Sequence, residues 1–316
     1  MKKKSRSVKN CERIFITETK GKTMSTALYG LTTVNVELTS RCNKNCWMCG
    51  RRRIDREFPE IAVNYGDMDF DLVKRIAEQL PPNIVVQLHN NGEPLLYPKF
   101  KEAAELFPNQ IKCIDTNGKL LLERAEDVID VIDTMAISVI EKDVEADEQY
   151  EIIAKFLELK KEKKPLTLLR INGDVDTSRY EKFGLIMAHR MLHSALGSFN
   201  YAKRNPTVPE IGICLDFMHH LAINKDGEAS ICVRFDPKRL GVIGDAKKQS
   251  LSAIWNGEKR MAWLDEHKHG RRGRIPLCSY CHFWGVPTGA AASEKRKKIG
   301  ESEVINKIKN EDEKPN

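Results

Sequence analysis

No stretch of the chain approaches the roughly 20 apolar residues of a membrane span, so no transmembrane helix is expected. The start, Met1-Lys-Lys-Lys-Ser-Arg-Ser-Val-Lys9, is basic, but no apolar segment of signal-peptide type follows it, and a cytoplasmic protein is expected. Charge of one sign is not extreme. The net +7 lies largely in the lysine-rich ends and in Arg51-Arg52-Arg53, and it reads as solvated surface rather than a nucleic-acid footprint. A reducing compartment gives the nine cysteines no disulfide framework to build. Their grouping points to metal instead. With 41% hydrophobic and 31% charged residues over 316 positions, the chain can bury one large core, or one large and one small.

A further shortage concerns ligands. Cys42, Cys46 and Cys49 stand within eight residues as C-x3-C-x2-C, with no fourth cysteine beside them. A structural zinc site closes with four ligands, whereas thiolates also hold iron–sulfur clusters. A cubane held by three thiolates keeps one iron open to an outside ligand. The stretch Val34–Thr39 just before the loop alternates apolar and polar as a strand does. A reactive centre at the end of a strand is therefore expected, with half a zinc site or a chance cluster of buried cysteines as the plainer alternatives.

From Thr33 the pattern is regular. Candidate strands are 33–39, 84–89, 111–116, 134–140, 166–172 and 198–203, with candidate helices at 69–80, 98–107, 121–131, 147–163 and 178–192 between them. Six strand–helix alternations predict an α/β fold with a parallel sheet and right-handed crossovers. Six units are fewer than a full barrel needs, so the expectation is a partial (β/α)6 TIM barrel with its active site at the strand C-terminal ends. Polar residues collect there: Asn90-Asn-Gly-Glu93-Pro94, Asp115-Thr-Asn-Gly118, Ser138, and Arg170 with Asn172. Cys113, in an apolar run, reads as a small core residue.

These residues resemble the radical S-adenosylmethionine (SAM) superfamily. The cysteine loop matches its C-x3-C-x2-C signature, and Asn91-Gly92-Glu93-Pro94 resembles its Gly-Gly-Glu motif, which contacts the methionine amino group. The resemblance covers roughly 33–205. It implies a SAM-binding [4Fe–4S] cluster on Cys42, Cys46 and Cys49, and SAM contacts from Met48, Asn91, Gly92, Glu93, Pro94, Thr116, Asn117 and Ser138. Two positions depart from the family: Met48 where an aromatic residue is common, and Asn91 for the first glycine. Methionine can pack on a base, and asparagine tolerates left-handed backbone. Arg170 is the candidate for the SAM carboxylate or for catalysis. His89 reads as a satisfied structural histidine.

The other cysteines fall late. Cys214, Cys232, Cys278 and Cys281 form a closed set of four, and Asp226-Gly227 predicts a hairpin that brings the first two together. From ligand count alone, structural zinc and a cluster are equally open. The region is similar to SPASM/twitch extensions of the radical SAM family, which implies one auxiliary [4Fe–4S] cluster, fully ligated. No cysteine follows Cys281, so a second auxiliary cluster is not expected, and the layout resembles a single-cluster, twitch-type arrangement. His219 and His220 read as structural. A helix is expected over Ser250–Asp265.

The expected organisation is an arm (1–32), a partial barrel (33–205), a small α+β cluster domain (206–289) and a charged, disordered tail (290–316). The expected activity is oxidation of a small polar metabolite, with an electron passed to the auxiliary cluster and a flavodoxin- or ferredoxin-type reductant. Modification of a ribosomally made peptide is the alternative, weakened because 32 residues before the barrel are too few for a peptide-recognition domain. A non-catalytic metal-binding module is the third reading. Arg51, Arg52 and Arg53 are expected to be solvated, with contact to an anionic substrate or reductant as the alternative.

Overall fold

The structure is a computed structural model that describes residues 28–190, 214–279 and 281. Its frame is a nine-stranded sheet. In chain order the strands are β1 (Thr33–Val36), β2 (Val85–Gln87), β3 (Ile111–Thr116), β4 (Thr134–Ile140), β5 (Leu166–Asn172), β6 (Ile186–Arg190), β7 (His220–Ile223), β8 (Glu228–Ser230) and β9 (Val242–Asp245). The spatial order is β6-β5-β4-β3-β2-β1-β7-β8-β9. The first seven strands pair in parallel, and β8 and β9 add antiparallel at the edge.

Strand residues alternate between faces, and here the two faces differ in chemistry. Val34, Val86, Ile114, Ile137 and Ile171 are fully buried against the helices. Asn35, Gln87, Asp115, Ser138 and Arg170 alternate with them and point the other way. Thr33, Asn35, Gln87, Asp115, Arg170, Arg190 and His220 line one cavity of about 570 Å³, although they come from strands β6 through β7. Adjacent strands are about 4.8 Å apart. A flat sheet would separate β6 from β7 too widely for a cavity of that size, so the sheet curls around it.

The helices α1 (Gly50–Glu57), α2 (Phe70–Ala77), α3 (Phe100–Glu105), α4 (Ala125–Val128) and α5 (Ala146–Lys160) lie between the early strands. Asp69 caps α2, accepting from the N–H groups of Asp71 (2.9 Å) and Leu72 (3.3 Å). The helix buries Val73 and Ile76 of the apolar stripe Phe70, Val73, Ile76, Ala77 and Leu80 that its spacing predicts, and Leu72 beside them. In α5, Ile153 and Phe156 are fully buried. Strands 111–116, 134–140 and 166–172 match expectation residue for residue. The Asp226-Gly227 hairpin forms between β7 and β8, with Gly227 at φ +86°.

Three expectations are corrected. Residues 178–192 are not one helix: a 3₁₀ helix at Ser178–Phe183 ends on Gly184 at φ +62°, and Ile186–Arg190 pairs with β5 as the sixth strand. Pairing to an open sheet edge overrides a weak helical propensity. The strand expected at 198–203 lies outside the described residues. The helix expected over 250–265 is two, α7 (Leu251–Trp255) and α8 (Glu258–Lys268). They break at Gly257, where a Cβ would stand 2.9 Å from the Ala253 carbonyl. Finally, Cys113 is only partly buried, on the cavity face of β3, because its neighbour Ile114 takes the core face.

The described end of the N-terminal arm packs at the opposite end of the sheet from the cysteine loop. Leu28 and Leu31 are buried, the Thr32 N–H donates to the His219 carbonyl (2.9 Å), and Trp255 Nε1 donates to the Tyr29 carbonyl (2.9 Å). No helix of the described residues is long and apolar enough to cross a membrane.

Candidate metal centres and active site

The three-cysteine loop leaves the C-terminal end of β1 and ends at Cys49, the N-cap of α1. Contacts fix the loop along its length. Arg41 binds Asp67 through two nitrogens (2.9 and 2.7 Å) and reaches the Leu96 carbonyl (2.9 Å). Lys44 is buried and paired with Asp143 (2.5 Å) and Glu145 (3.6 Å). Trp47 Nε1 donates to the Glu141 carbonyl (2.6 Å), and Arg52 Nη2 donates to the Cys42 carbonyl (2.9 Å). Cys42, Cys46, Met48 and Cys49 remain partly exposed on this braced loop.

Arg51 departs from the expectation of solvated charge. It is 5% exposed, donates to the carbonyls of Asn91 and Ser40, and lies 4.4 Å over the Tyr65 ring. Helical phase explains the difference: Arg51 turns inward on α1 while Arg53 faces solvent and pairs with Glu57 (2.6 Å).

The Asn91–Pro94 turn packs directly under the loop. A Cβ on Gly92 would lie 2.1 Å from the Thr39 carbonyl oxygen and 2.7 Å from that of Arg41, so only glycine fits. The Glu93 N–H donates to the Arg41 carbonyl (2.8 Å). Asn91 does not adopt the left-handed conformation that its place in the motif suggested. Its N–H donates to Glu37 (3.1 Å) and its carbonyl accepts from Arg51, which holds the turn without positive φ.

Glu93 is a clamp. Its carboxylate accepts from Thr116 Oγ1 (2.8 Å), the Asn117 N–H (2.7 Å) and the Leu95 N–H (3.2 Å). Burial raises its pKa, and those three donors oppose the shift. Pro94 opens a short buried 3₁₀ turn beside it. Asn117 also donates to Asn43 Oδ1 (2.8 Å) and lies 3.9 Å from Cys42 Sγ. Gln149 secures the next rim element by donating to the carbonyls of Asn117 (2.6 Å) and Ser138 (2.9 Å). Glu93, Thr116, Asn117 and Ser138 are therefore one bonded rim beside the cysteines.

Below the rim, the concave face carries a linked polar set. The Asp115 N–H donates to His89 Nδ1 (3.0 Å), so the imidazole proton is on Nε2, 3.3 Å from Asp115 Oδ2. Arg170 makes an ion pair with the same oxygen. Burial depresses His89 to about 3, with Arg170 adding to the effect, and depresses Arg170 to about 10. His220, read as structural, joins this set through Asn35 Oδ1, while Asn35 Nδ2 donates to the His89 carbonyl (2.7 Å). His219 bonds the Gly30 carbonyl instead (2.8 Å).

The four late cysteines come from separate elements: Cys214 caps α6 (Leu215–His219), Cys232 follows β8, and Cys278 lies on α9 (Pro276–Ser279) with Cys281 just beyond. Cys214, Cys232 and Cys278 pack against a small apolar cluster of Phe217, Ile231, Leu264, Ile275 and Leu277, separate from the main core. Arg272 Nη1 donates to the carbonyls of both Cys278 and Cys281 (3.1 Å each). His267, buried and 4.5 Å from the Phe217 ring centre, brings Nε2 to 3.6 Å from Cys278 Sγ.

Among the described residues, no three His, Cys, Asp or Glu side chains stand close enough to enclose a metal ion as they are. Both thiol groups are nonetheless gathered within electrostatic reach. Cys46 is pushed up to about 12 by burial and then by Cys49 and Cys42. Cys278 is pushed up by burial and then by Cys232, Cys281 and Cys214, and burial holds Cys232 at about 12. Thiols that would repel one another as thiolates are what a cationic centre relieves, with release of protons. The donor chemistry therefore fits two sulfur-ligated centres, three thiols beside the rim and four in the small domain.

Known proteins agree with this arrangement. The SPASM family model, an iron–sulfur cluster-binding domain, matches residues 214–282, which include all four late cysteines. The S-adenosyl-L-methionine-dependent 2-deoxy-scyllo-inosamine dehydrogenase of Niallia circulans is 24% identical over 266 residues, 81% of this chain and 94% of that protein. The fold is shared with the crystal structure of BtrN in complex with AdoMet and 2-DOIA (21% identity, 79% of this chain and 92% of that one, TM-score 0.55). It is shared also with native anSMEcpe with bound AdoMet (14% identity, 89% and 99%, TM-score 0.53). The chain thus carries a SPASM-type iron–sulfur cluster-binding domain over residues 214–282 and is similar over most of its length to an S-adenosyl-L-methionine-dependent dehydrogenase, whose fold it shares.

Proposed function

We propose that this chain is a dehydrogenase-type radical SAM enzyme that oxidises a small polar metabolite on a partial (β/α)6 barrel, residues 33–205, capped by an auxiliary-cluster domain, 206–289. In this reading Cys42, Cys46 and Cys49 hold the SAM-binding [4Fe–4S] cluster, and Cys214, Cys232, Cys278 and Cys281 hold the auxiliary one. The group held by Cys42, Cys46 and Cys49 would supply the one electron needed to cleave SAM into methionine and a 5′-deoxyadenosyl radical, which would remove a hydrogen atom from substrate. Loss of one further electron and one proton turns a substrate carbinol into a carbonyl, and a fully ligated auxiliary cluster is a suitable acceptor for that electron.

The chain's own residues have separate tasks. Gly92 brings the Asn91–Pro94 backbone against the cysteine loop, and Met48, Asn91, Thr116, Asn117 and Ser138 are the rim groups within reach of SAM. Glu93 acts by fixing the rim, since its oxygens already accept three protein donors. Arg170, held by Asp115, faces the reacting region from β5. The curled sheet keeps water from a radical.

The observation that carries the proposal is a cavity of about 550 Å³ lined both by Ser40, Arg51 and Asn91 of the first site and by Cys232 and Arg234 of the second. It borders the concave cavity, with which it shares Asn90 and Arg234. The joined space runs from the residues that brace the three-cysteine loop to Cys232 of the late group. The dehydrogenase relative supports the reaction type.

The test is anaerobic turnover with dithionite and a panel of polyhydroxylated metabolites and peptides. A metabolite that loses about two mass units while 5′-deoxyadenosine accumulates agrees with the proposal. Turnover of peptides alone, or no SAM cleavage at all, contradicts it.

A further inference from the structure

The concave cavity is lined by three arginines, Arg170, Arg190 and Arg234, against two aspartates, Asp115 and Asp216. Two of its histidines do not add charge at neutral pH: burial depresses His89 to about 3 and His220 to about 4. The arginines are not equivalent. Arg170 is paired with Asp115. Arg190, on the last residue of β6, feels Arg234 as a like charge and Asp216 as an opposite one. Its buried Nε has no hydrogen-bond partner among the described residues. On the other wall, Asp115 Oδ1 is likewise buried without a partner, while Oδ2 faces Arg170 and His89.

A buried donor or acceptor without a partner is costly. The Arg190 side of this cavity, with a second guanidinium near it, therefore wants an acceptor with negative charge. Guanidinium is the side chain suited to carboxylate and phosphate. We propose that the substrate is a small polar molecule bearing an oxyanion, a carboxylate or phosphate held by the Arg190 guanidinium. The inference rests on the reading of the concave cavity as the substrate space. It distinguishes this chain's cavity from one built for a cationic amine, which an excess of arginine would repel.

The test is anaerobic calorimetry on the reconstituted, SAM-loaded chain with gluconate and glucose 6-phosphate, beside neutral glucose and cationic glucosamine. Gluconate or glucose 6-phosphate should bind at least about tenfold more tightly than glucose, and glucosamine least of all. Which of the two oxyanions binds more tightly separates carboxylate from phosphate recognition. Arg190→Gln should weaken the oxyanion by at least about tenfold and leave glucose unchanged, and Arg190→Lys should restore part of the preference. SAM affinity, titrated in parallel, separates the alternatives. If Arg190→Gln loses SAM instead, the arginine serves the SAM carboxylate and the inference is overturned. It is overturned equally if glucosamine binds best, if charge makes no difference, or if Arg190→Gln keeps the preference. A wild-type chain that shows the oxyanion preference but never cleaves SAM contradicts the enzymatic proposal and not this one.

Discussion

Gly92 is the residue with the least freedom in the site. Any side chain there meets the Thr39 carbonyl at 2.1 Å, and that backbone leads directly into the cysteine loop. Gly92→Ala should cost at least about 3 kcal/mol of stability and lower the iron retained after reconstitution. Thermal melting and iron analysis check this, and a variant that melts and loads like the wild type would refute the packing argument. The histidines set a pH dependence. His89 is depressed from 6.5 to about 3 in the folded chain, so between those values the unfolded chain binds more protons. Stability from neutral His89 is complete above about 6.5 and is lost as pH falls toward about 3. Urea midpoints should drop from pH 7.5 to 5.5 more steeply in the wild type than in His89→Asn, whose amide oxygen can replace Nδ1 as acceptor. Parallel curves would mean that His89 does not titrate as described. Residues of this kind divide by how visible they are in sequence. The cysteines and Gly92-Glu93 are legible because their spacing is the chemistry. Asn35 and His220 are 185 positions apart and bond only because β1 pairs with β7, so nothing local announces them.

At the scale of elements, β3, β4 and β5 were legible to the residue, since each is an apolar run bounded by turns. Two expected helices do not form as single helices, and each breaks at a glycine. Gly184 in the left-handed region ends one 3₁₀ helix before β6, and Gly257 starts α8 afresh. Reading those glycines as breaks rather than as tolerated residues would have found the sixth strand. Helix α1, which carries Arg51, is not legible in the sequence because its charges hide a short stripe: only Arg51 and Ile54 are buried. Helix α5 is better marked and better anchored. Phe156, fully buried, ties it to the sheet, and Gln149 on the same helix holds the Asn117 and Ser138 carbonyls. Phe156→Ala should destabilise by about 3–5 kcal/mol. Because α5 braces the rim, SAM affinity should fall as well. Chemical denaturation with SAM titration checks both, and a loss below about 1 kcal/mol would show the site collapsing around the cavity instead of leaving it open.

At the scale of the molecule, the small C-terminal part is not a separate attachment. Strand β7 pairs with β1, the strand that launches the cysteine loop, and Glu37 accepts from both the Asn91 N–H and the Lys225 N–H (3.1 Å each). The sequence announced two cysteine groups, and their different ligand counts already suggested one reachable centre and one closed one. That a single sheet joins them was hidden, because strand pairing across nearly 190 residues has no local signature. The central claim is that those two groups have different tasks. The most direct measurement is iron content and 5′-deoxyadenosine formation, side by side, for the wild type, for Cys42, Cys46 and Cys49 together changed to Ala, and for Cys278 and Cys281 together changed to Ala. The wild type should hold about eight irons per chain, and each variant about four. The first variant should make no 5′-deoxyadenosine, while the second should still make it without oxidised product. Two variants that behave alike, or a first variant that still cleaves SAM, would contradict the account.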